Sequence, residues 1–175
     1  MLRQYIPEMA DARNNGHEGS RGDGIRFGAS LGAAMGDLGA FQGYAMLTEP
    51  QGISVPPGVP IEGGVLVNID GRRFTDETAD IAGMVHPVLA QPGGYVWVVF
   101  DERIEKTADY IPEMQQLLAL NAARSANTIE DLAATIGVPS AALEETLNEA
   151  WTAQRSSVPD EQGRNWGDDQ PPAAP

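Results

Sequence analysis

The 175-residue chain contains no cysteine, which excludes disulfides, thiolate zinc and iron–sulfur sites and cysteine nucleophiles. With no thiol to read, the redox compartment stays open. Lysine is nearly missing as well: Lys106 stands alone, and 11 basic residues face 25 acidic ones for a formal charge of −14. A field of that sign repels phosphate, so nucleic acid and anionic membrane surfaces are not expected partners. Long apolar runs are absent. The longest, Tyr95–Phe100, is strand-sized and falls far short of the about 20 residues a membrane-spanning helix needs. The first residues, MLRQYIPEMADARNNG, have neither an apolar core nor a small-residue cleavage site and do not read as a secretory signal; the expected location is cytoplasmic. The two histidines, His17 and His86, lack ligand-spaced partners, so no metal site is expected. No serine sits in a strand–turn–helix elbow, which argues against a Ser-His-Asp hydrolase.

An apolar content of 42% is ordinary for a globular chain, and the length supports one domain with a sizeable core, or a core and a trailing helical unit. Both ends look cut. An uncapped amphipathic stretch (Tyr5, Ile6, Met9) opens the chain and a Pro-rich stretch, NWGDDQPPAAP, closes it. The expectation is an excised piece of a longer protein.

The Gly-rich run from Gly16 to Gly24 leads into a helical pattern over 25–38 whose face is made of alanine and glycine, a pattern for close packing against another element. Residues 41–62 read as irregular. Val65–Ile69, then Asp70-Gly71, then Arg72–Thr75 reads as a β-hairpin with a two-residue turn. A helix over about 79–90 is followed by Gln91-Pro92-Gly93-Gly94 and a second strand, Tyr95–Phe100, apolar enough to be central in a sheet. Thr128 caps a helix that Gly137 and Pro139 end. Ser140 is expected to cap the next, whose Leu143, Leu147 and Trp151 share one face. The fold class is therefore α+β: a small sheet with a β-hairpin, covered by a helical hairpin. Residues 157–175 read as extended or partly disordered. Tyr-Ile-Pro-Glu-Met occurs at Tyr5–Met9 and at Tyr110–Met114, but the flanks do not match and the recurrence is read as coincidence.

Two groupings invite chemistry. Glycines around Ser20 and Asp23 at a helix start let backbone N–H groups approach a ligand; equally, they form a tight turn with Asp23 as cap. Asp76-Glu77, after the hairpin, is placed to hold a substrate or relay a proton; equally, it is a solvated pair or a helix cap.

Taken together, these segments resemble the flavoprotein subunits of the fumarate reductase and succinate dehydrogenase family. HEGSRGDGIRFGASLGAAMGDLGAFQ is similar to that family's Gly-x-Thr-Gly-Asp-Gly loop and Ala/Gly-rich helix. EGGVLVNIDGRRFTDE is similar to its hairpin, and LAQPGGYVWVVFDERI and TIEDLAATIGVPSAALEETLNEAW follow in the family's order. The resemblance implies an FAD-dependent oxidoreductase in which a smaller α+β capping domain is inserted into a Rossmann-type FAD domain. Residues 1–40 would belong to the FAD domain, 41–156 to the capping (substrate) domain, and 157–175 to a connector back. It implies hydride transfer between flavin and a carbon–carbon bond next to a carbonyl or carboxylate. FAD is expected in the full-length parent and not on this chain alone. The implied partners are the rest of the flavoprotein chain and a small-molecule substrate.

Residue by residue, Ser20, Gly22, Asp23 and Gly24 match the flavin-proximal loop, with Arg21 where Gly or Thr is common. Arg73, Phe74 and Glu77 match the hairpin consensus, which implies that Glu77 is catalytic beside the substrate cleft; Arg73 is the expected substrate contact of the pair Arg73 and Phe74, and equally both are purely structural. Phe41-Gln42-Gly43-Tyr44 stands where fumarate reductases carry His-Pro-Thr, making Gln42 and Tyr44 the expected substrate contacts. Four positions after the hairpin glutamate those enzymes carry an arginine that delivers a proton; here the position is Ile81, also expected at the substrate. An aliphatic side chain can neither donate a proton nor pair with a carboxylate, so fumarate itself is not the expected substrate. The rival reading is a free-standing α+β module that binds a partner and catalyses nothing.

Overall fold

A computed structural model describes residues 2–156 and 158–167. It divides into two compact units, residues 1–42 and 43–175, and each is taken by itself. The Pro-rich end beyond 167 lies outside the described residues.

The first unit has α1 (Leu2–Tyr5), a 3-10 turn at Pro7–Met9 and α2 (Asp23–Ser30). The helix expected over 25–38 is shorter and begins earlier. Gly22, at φ 76°, brings the chain in, and the left-handed Gly32 (φ 78°) lies just past the end. The apolar residues Phe27 and Leu31 are 71% and 87% exposed.

The second unit has α3 (Gly58–Ile61), β1 (Val65–Val67), α4 (Val85–Leu89), a 3-10 turn at Pro92–Gly94 and β2 (Trp97–Val99). Four helices follow: α5 (Glu102–Ala108), α6 (Pro112–Ala119), α7 (Ile129–Ile136) and α8 (Ser140–Gln154). Among the described residues β1 and β2 form one two-stranded antiparallel sheet, with Val65 opposite Val99 and Val67 opposite Trp97. This is an α+β unit, but its sheet is not the expected local hairpin. Gly71 N–H donates to Asn68 O and Asn68 N–H to Arg72 O (both 3.0 Å), closing a loop whose inner face is the Asn68 side chain. Asn68 Oδ1 accepts from the N–H groups of Asp70 and Arg72, both at 3.0 Å. Arg72–Thr75 does not return as a strand. Two adjacent arginines are poor neighbours for a fully buried Val-Leu-Val, whereas the apolar Trp97–Val99 matches it. Nor is β2 central: among the described residues it is a half-buried strand with one neighbour.

The side-chain period of two sends the strands to different clusters. Val65 and Val67 pack with Leu143, Leu147 and Ile136 of the helical hairpin, whereas Leu66 packs with Met84 and Val88 around α4. A third cluster joins Met46, Val55 and Val59 to Ile104, Met114 and Leu117 of α5 and α6.

The helical hairpin follows its local signals closely. Asp131 N–H donates to Thr128 Oγ1 (3.0 Å) at the start of α7, and Gly137 ends it at φ 74°. Ser140 is not the cap of α8. It is the first helical residue after Pro139, whose carbonyl accepts from Leu143 N–H at 3.0 Å. The start of α8 lies on the backbone of the Asn68–Arg72 loop, where Thr146 Oγ1 donates to Gly71 O at 2.8 Å in a buried contact.

Gly71 therefore answers to two constraints. Its φ is +76°, and a Cβ would sit 3.0 Å from Leu143 N and 3.2 Å from Ala142 Cβ. We expect Gly71→Ala to lower unfolding stability by about 1–3 kcal/mol through strain and displacement of α8. Leu143→Ala, at a fully buried position, should cost about 2–5 kcal/mol in urea denaturation.

Candidate functional site

The second unit is organised around a buried carboxylate. Glu77 lies in the turns after the Asn68–Arg72 loop, its side chain 0% exposed. Arg73, one helical turn earlier in sequence, clasps it with two bonds of 2.8 Å, Nε to Oε1 and Nη2 to Oε2. Leu66 N–H donates to Oε1 at 3.0 Å, so the carboxylate also satisfies a backbone donor of β1. The fourth donor comes from far along the chain: Arg164 Nη1 donates to Oε2 at 3.0 Å. Both oxygens accept twice.

Residues 158–167 carry no helix or strand, as expected for the end of the chain, yet two of their side chains are buried in the unit. Arg164 is 1% and Trp166 5% exposed. Arg164 Nη1 also donates to Gly64 O (2.8 Å) and Nη2 to Pro60 O (2.6 Å), and its guanidinium lies 3.7 Å from the Trp166 ring centroid. Asp160 ties the segment to the glutamate's other clasp. Its Oδ2 accepts from Arg73 Nη1 (2.7 Å) and Trp166 Nε1 (2.9 Å), and its Oδ1 from the N–H groups of Gln162 and Arg164.

Two carboxylates thus meet two guanidiniums in a buried, charge-balanced cluster. Burial pushes the Asp160 carboxyl up, but the bond from Arg73, the Arg164 N–H and the Arg73 charge outweigh it and hold it below its ordinary value. Burial lowers the Arg73 guanidinium, and Glu77 and Asp160 more than reverse that, leaving it raised. Arg164 goes the other way: burial and the nearby Arg73 charge outweigh Glu77 and leave it lowered.

Beside this cluster a cleft of about 750 Å³ runs between α8 and residues 159–162, lined by Arg73, Asp160, Gln162 and the α8 residues Glu145, Asn148 and Glu149. Arg73 shows this cleft little cationic character. Its three nitrogens are engaged by Glu77, Asp160 and Gln162, the last at 3.3 Å from Nη1.

The other residues singled out from sequence lie elsewhere. Tyr44 packs on the Met46–Val55 cluster, with its hydroxyl donating to Val55 O. Burial, and then the charge of Glu113, raise its phenol pKa. Ile81 is half-buried in the turns between Glu77 and α4. Ser20, Gly22, Asp23, Gly24 and Gln42 belong to the first unit. Ser20, Asp23, Gly24 and Gln42 are exposed there, and Asp23 pairs with Arg26. A Cβ on Gly24 would meet nothing within 4 Å, so the start of α2 is open backbone. Among the described residues no group of acids and histidines could hold a metal ion, and no helix is long and apolar enough to cross a membrane. The structure brings together Arg73 and Glu77 and adds Asp160, Arg164 and Trp166, which the sequence reading missed. The only signal for these three was an acid and an arginine four apart, ahead of a tryptophan, in an otherwise polar stretch.

Comparison with known proteins gives the chain's family. The FAD binding domain family matches residues 1–173, and the chain belongs to that family. It is 29% identical over 149 residues to the probable fumarate reductase Ifc3 of Shewanella frigidimarina, covering 85% of this chain and 25% of that protein. It is 26% identical over 174 residues to the 3-oxo-5-alpha-steroid 4-dehydrogenase of Comamonas testosteroni, covering 94% of this chain and 31% of that protein. A flavocytochrome c3 fumarate reductase solved in an open conformation superposes with a TM-score of 0.72 at 26% identity, over 93% of this chain and 28% of that one. The chain thus spans about a quarter to a third of the length of these relatives.

Removing one partner from a buried ionic cluster leaves a charge uncompensated, so Glu77→Ala should cost about 3–5 kcal/mol of stability in urea titration. The pH dependence has a definite sign. Asp160, its pKa depressed on folding, contributes stability that is present above the ordinary aspartate value of 3.8 and is lost as the pH falls through that value towards the folded one. Asp160→Asn should therefore flatten the fall of the urea midpoint on acidification below about pH 4, relative to the unsubstituted chain.

Proposed function

We propose that this chain is the capping (substrate) domain, with an adjoining helix of the FAD domain, of an FAD-dependent oxidoreductase that acts on a carbon–carbon bond next to an activating carbonyl. The membership of residues 1–173 in the FAD binding domain family carries the flavoprotein part of this reading. It also disfavours the rival of a non-catalytic module. FAD, when bound, supplies the two-electron chemistry; the chain's own residues position and exclude. Ser20, Gly22, Asp23 and Gly24 would hold the cofactor through the open backbone at the start of α2. Tyr44 and Ile81 of the second unit are proposed substrate contacts, and so, separately, is Gln42 of the first. Glu77 acts through Arg73 as a positioning residue, because each of its oxygens already accepts two hydrogen bonds. The location proposed for the enzyme is the cytoplasm.

The state of Arg73 supports a weakly charged substrate. A guanidinium that holds a substrate carboxylate needs a free pair of N–H donors. Four of the five Arg73 N–H donors are engaged by Glu77, Asp160 and Gln162, which leaves no pair to offer, and Ile81 brings none. A neutral enone, such as a 3-oxo ring, asks for no such clamp.

The test is an anaerobic assay of the full-length flavoprotein with a reduced or oxidised dye as electron partner. We expect turnover of a neutral enone or its saturated ketone, and fumarate reduction at least about 10²-fold slower, the minimum effect of a missing positioned acid. Fumarate turnover at ordinary rates that Ile81→Ala leaves unchanged would overturn the substrate class. The 175-residue chain alone should purify colourless, because one loop offers few contacts against the entropy of fixing so large a cofactor. A flavin spectrum at near-stoichiometric occupancy would contradict this.

A further inference from the structure

The buried ion cluster holds a segment that the rest of the fold does not. Among the described residues, the backbone-to-backbone hydrogen bonds of 158–167 run within the segment itself, from Asp160 N–H to Arg164 O (3.0 Å) and from Gly163 N–H to Asp160 O (2.9 Å), and the Val158 backbone bonds only its neighbour Ser156 Oγ. Its attachments to the unit are side chains. Arg164 enters a socket made of Pro60 O, Gly64 O and the Glu77 carboxylate; Trp166 packs on the helical-hairpin cluster; Asp160 and Gln162 reach Arg73. Asp160 also shapes the segment internally, since its carboxylate accepts from Gln162 N–H, Arg164 N–H and Trp166 Nε1. The segment is a preformed loop fastened at its side chains.

We propose that residues 158–167 form a latch that opens and closes as one unit, with Arg164 as its plug in a socket selective for a guanidinium. The selectivity follows from the contacts. Two nitrogens of one rigid group satisfy three acceptors, while the group's face stacks 3.7 Å from the Trp166 ring centroid. An ammonium on a lysine stem has neither the fork nor the flat face, and it holds its hydration more strongly. The latch can open without the core because its backbone contributes no ladder to the sheet or helices, so its opening is a smaller event than unfolding. This inference stands on the ion cluster alone and is independent of the flavoprotein reading.

The experiment follows amide hydrogen exchange and the Trp166 indole N–H resonance by NMR in the 175-residue chain. In the unsubstituted chain the amides of Gln162, Gly163 and Arg164 should exchange at least about tenfold faster than those of Leu147 and Ala150 in α8, as a sub-global opening requires. Arg164→Lys should raise latch exchange by a further factor of about ten or more while α8 stays protected. In Arg164→Gly, methylguanidinium at sub-denaturing concentration should restore the Trp166 resonance and latch protection, and methylammonium at equal ionic strength should not. Equal exchange of latch and α8 amides in the unsubstituted chain would overturn the proposal. So would loss of α8 protection together with the latch in Arg164→Lys, which would make the segment inseparable from the core. Arg164→Lys behaving like the unsubstituted chain, or rescue by methylammonium as good as by methylguanidinium, would overturn the guanidinium selectivity.

Discussion

Much of the second unit depends on how one buried carboxylate is satisfied. A carboxylate removed from water is tolerable only when its oxygens are bonded and its charge is matched. Glu77 meets that condition with donors from three places: a backbone N–H of β1, an arginine in the loop that follows it, and an arginine near the end of the described chain. The carboxylate accepts from the edge of β1 that faces away from β2, its one strand neighbour among the described residues, and fixes the course of the chain after the Asn68–Arg72 loop. It also gives the irregular segment 158–167 a reason to be ordered. A short, two-stranded sheet is a weak scaffold by itself. Here it is completed by ion pairing on one side and by helix packing on its faces.

The helical hairpin supplies the other half of the scaffold. α8 lies directly on the Gly71 backbone, with Thr146 bonding the glycine carbonyl and Leu143 packing where no Cβ intrudes. The loop that presents Arg73 is thereby clamped between α8 and the Asp160 carboxylate. This explains why Arg73 is committed within the protein, as the structural alternative for the hairpin arginine requires.

How much was legible beforehand varied with the range of the signal. The α7–α8 hairpin was read nearly in full, because Thr128, Gly137 and Pro139 act on neighbours within a turn and the apolar face repeats at the helical period. Both strands were located by their β-branched, apolar composition. Their pairing was misread, since Asp70-Gly71 has the chemistry of a tight turn in either a hairpin or the Asn68-centred loop that forms. Ser140 was misplaced by one position, as the local pattern allows either residue beside Pro139 to open the helix. The family resemblance rests on motifs that follow one another in the family's order, and the family match over residues 1–173 agrees with it.

By itself, then, the sequence determined the class of secondary structure, the absence of thiol chemistry and membrane-spanning helices, and the flavoprotein kinship, all of which are written in composition or in short-range order. Only the tertiary structure decided which strand pairs with β1, that Glu77 is saturated rather than poised, and that Asp160, Arg164 and Trp166 belong to its surroundings. The physical reason is distance along the chain. A charge declares its sign in the sequence, but whether it is solvated or buried against an opposite charge 87 residues away is settled only by packing.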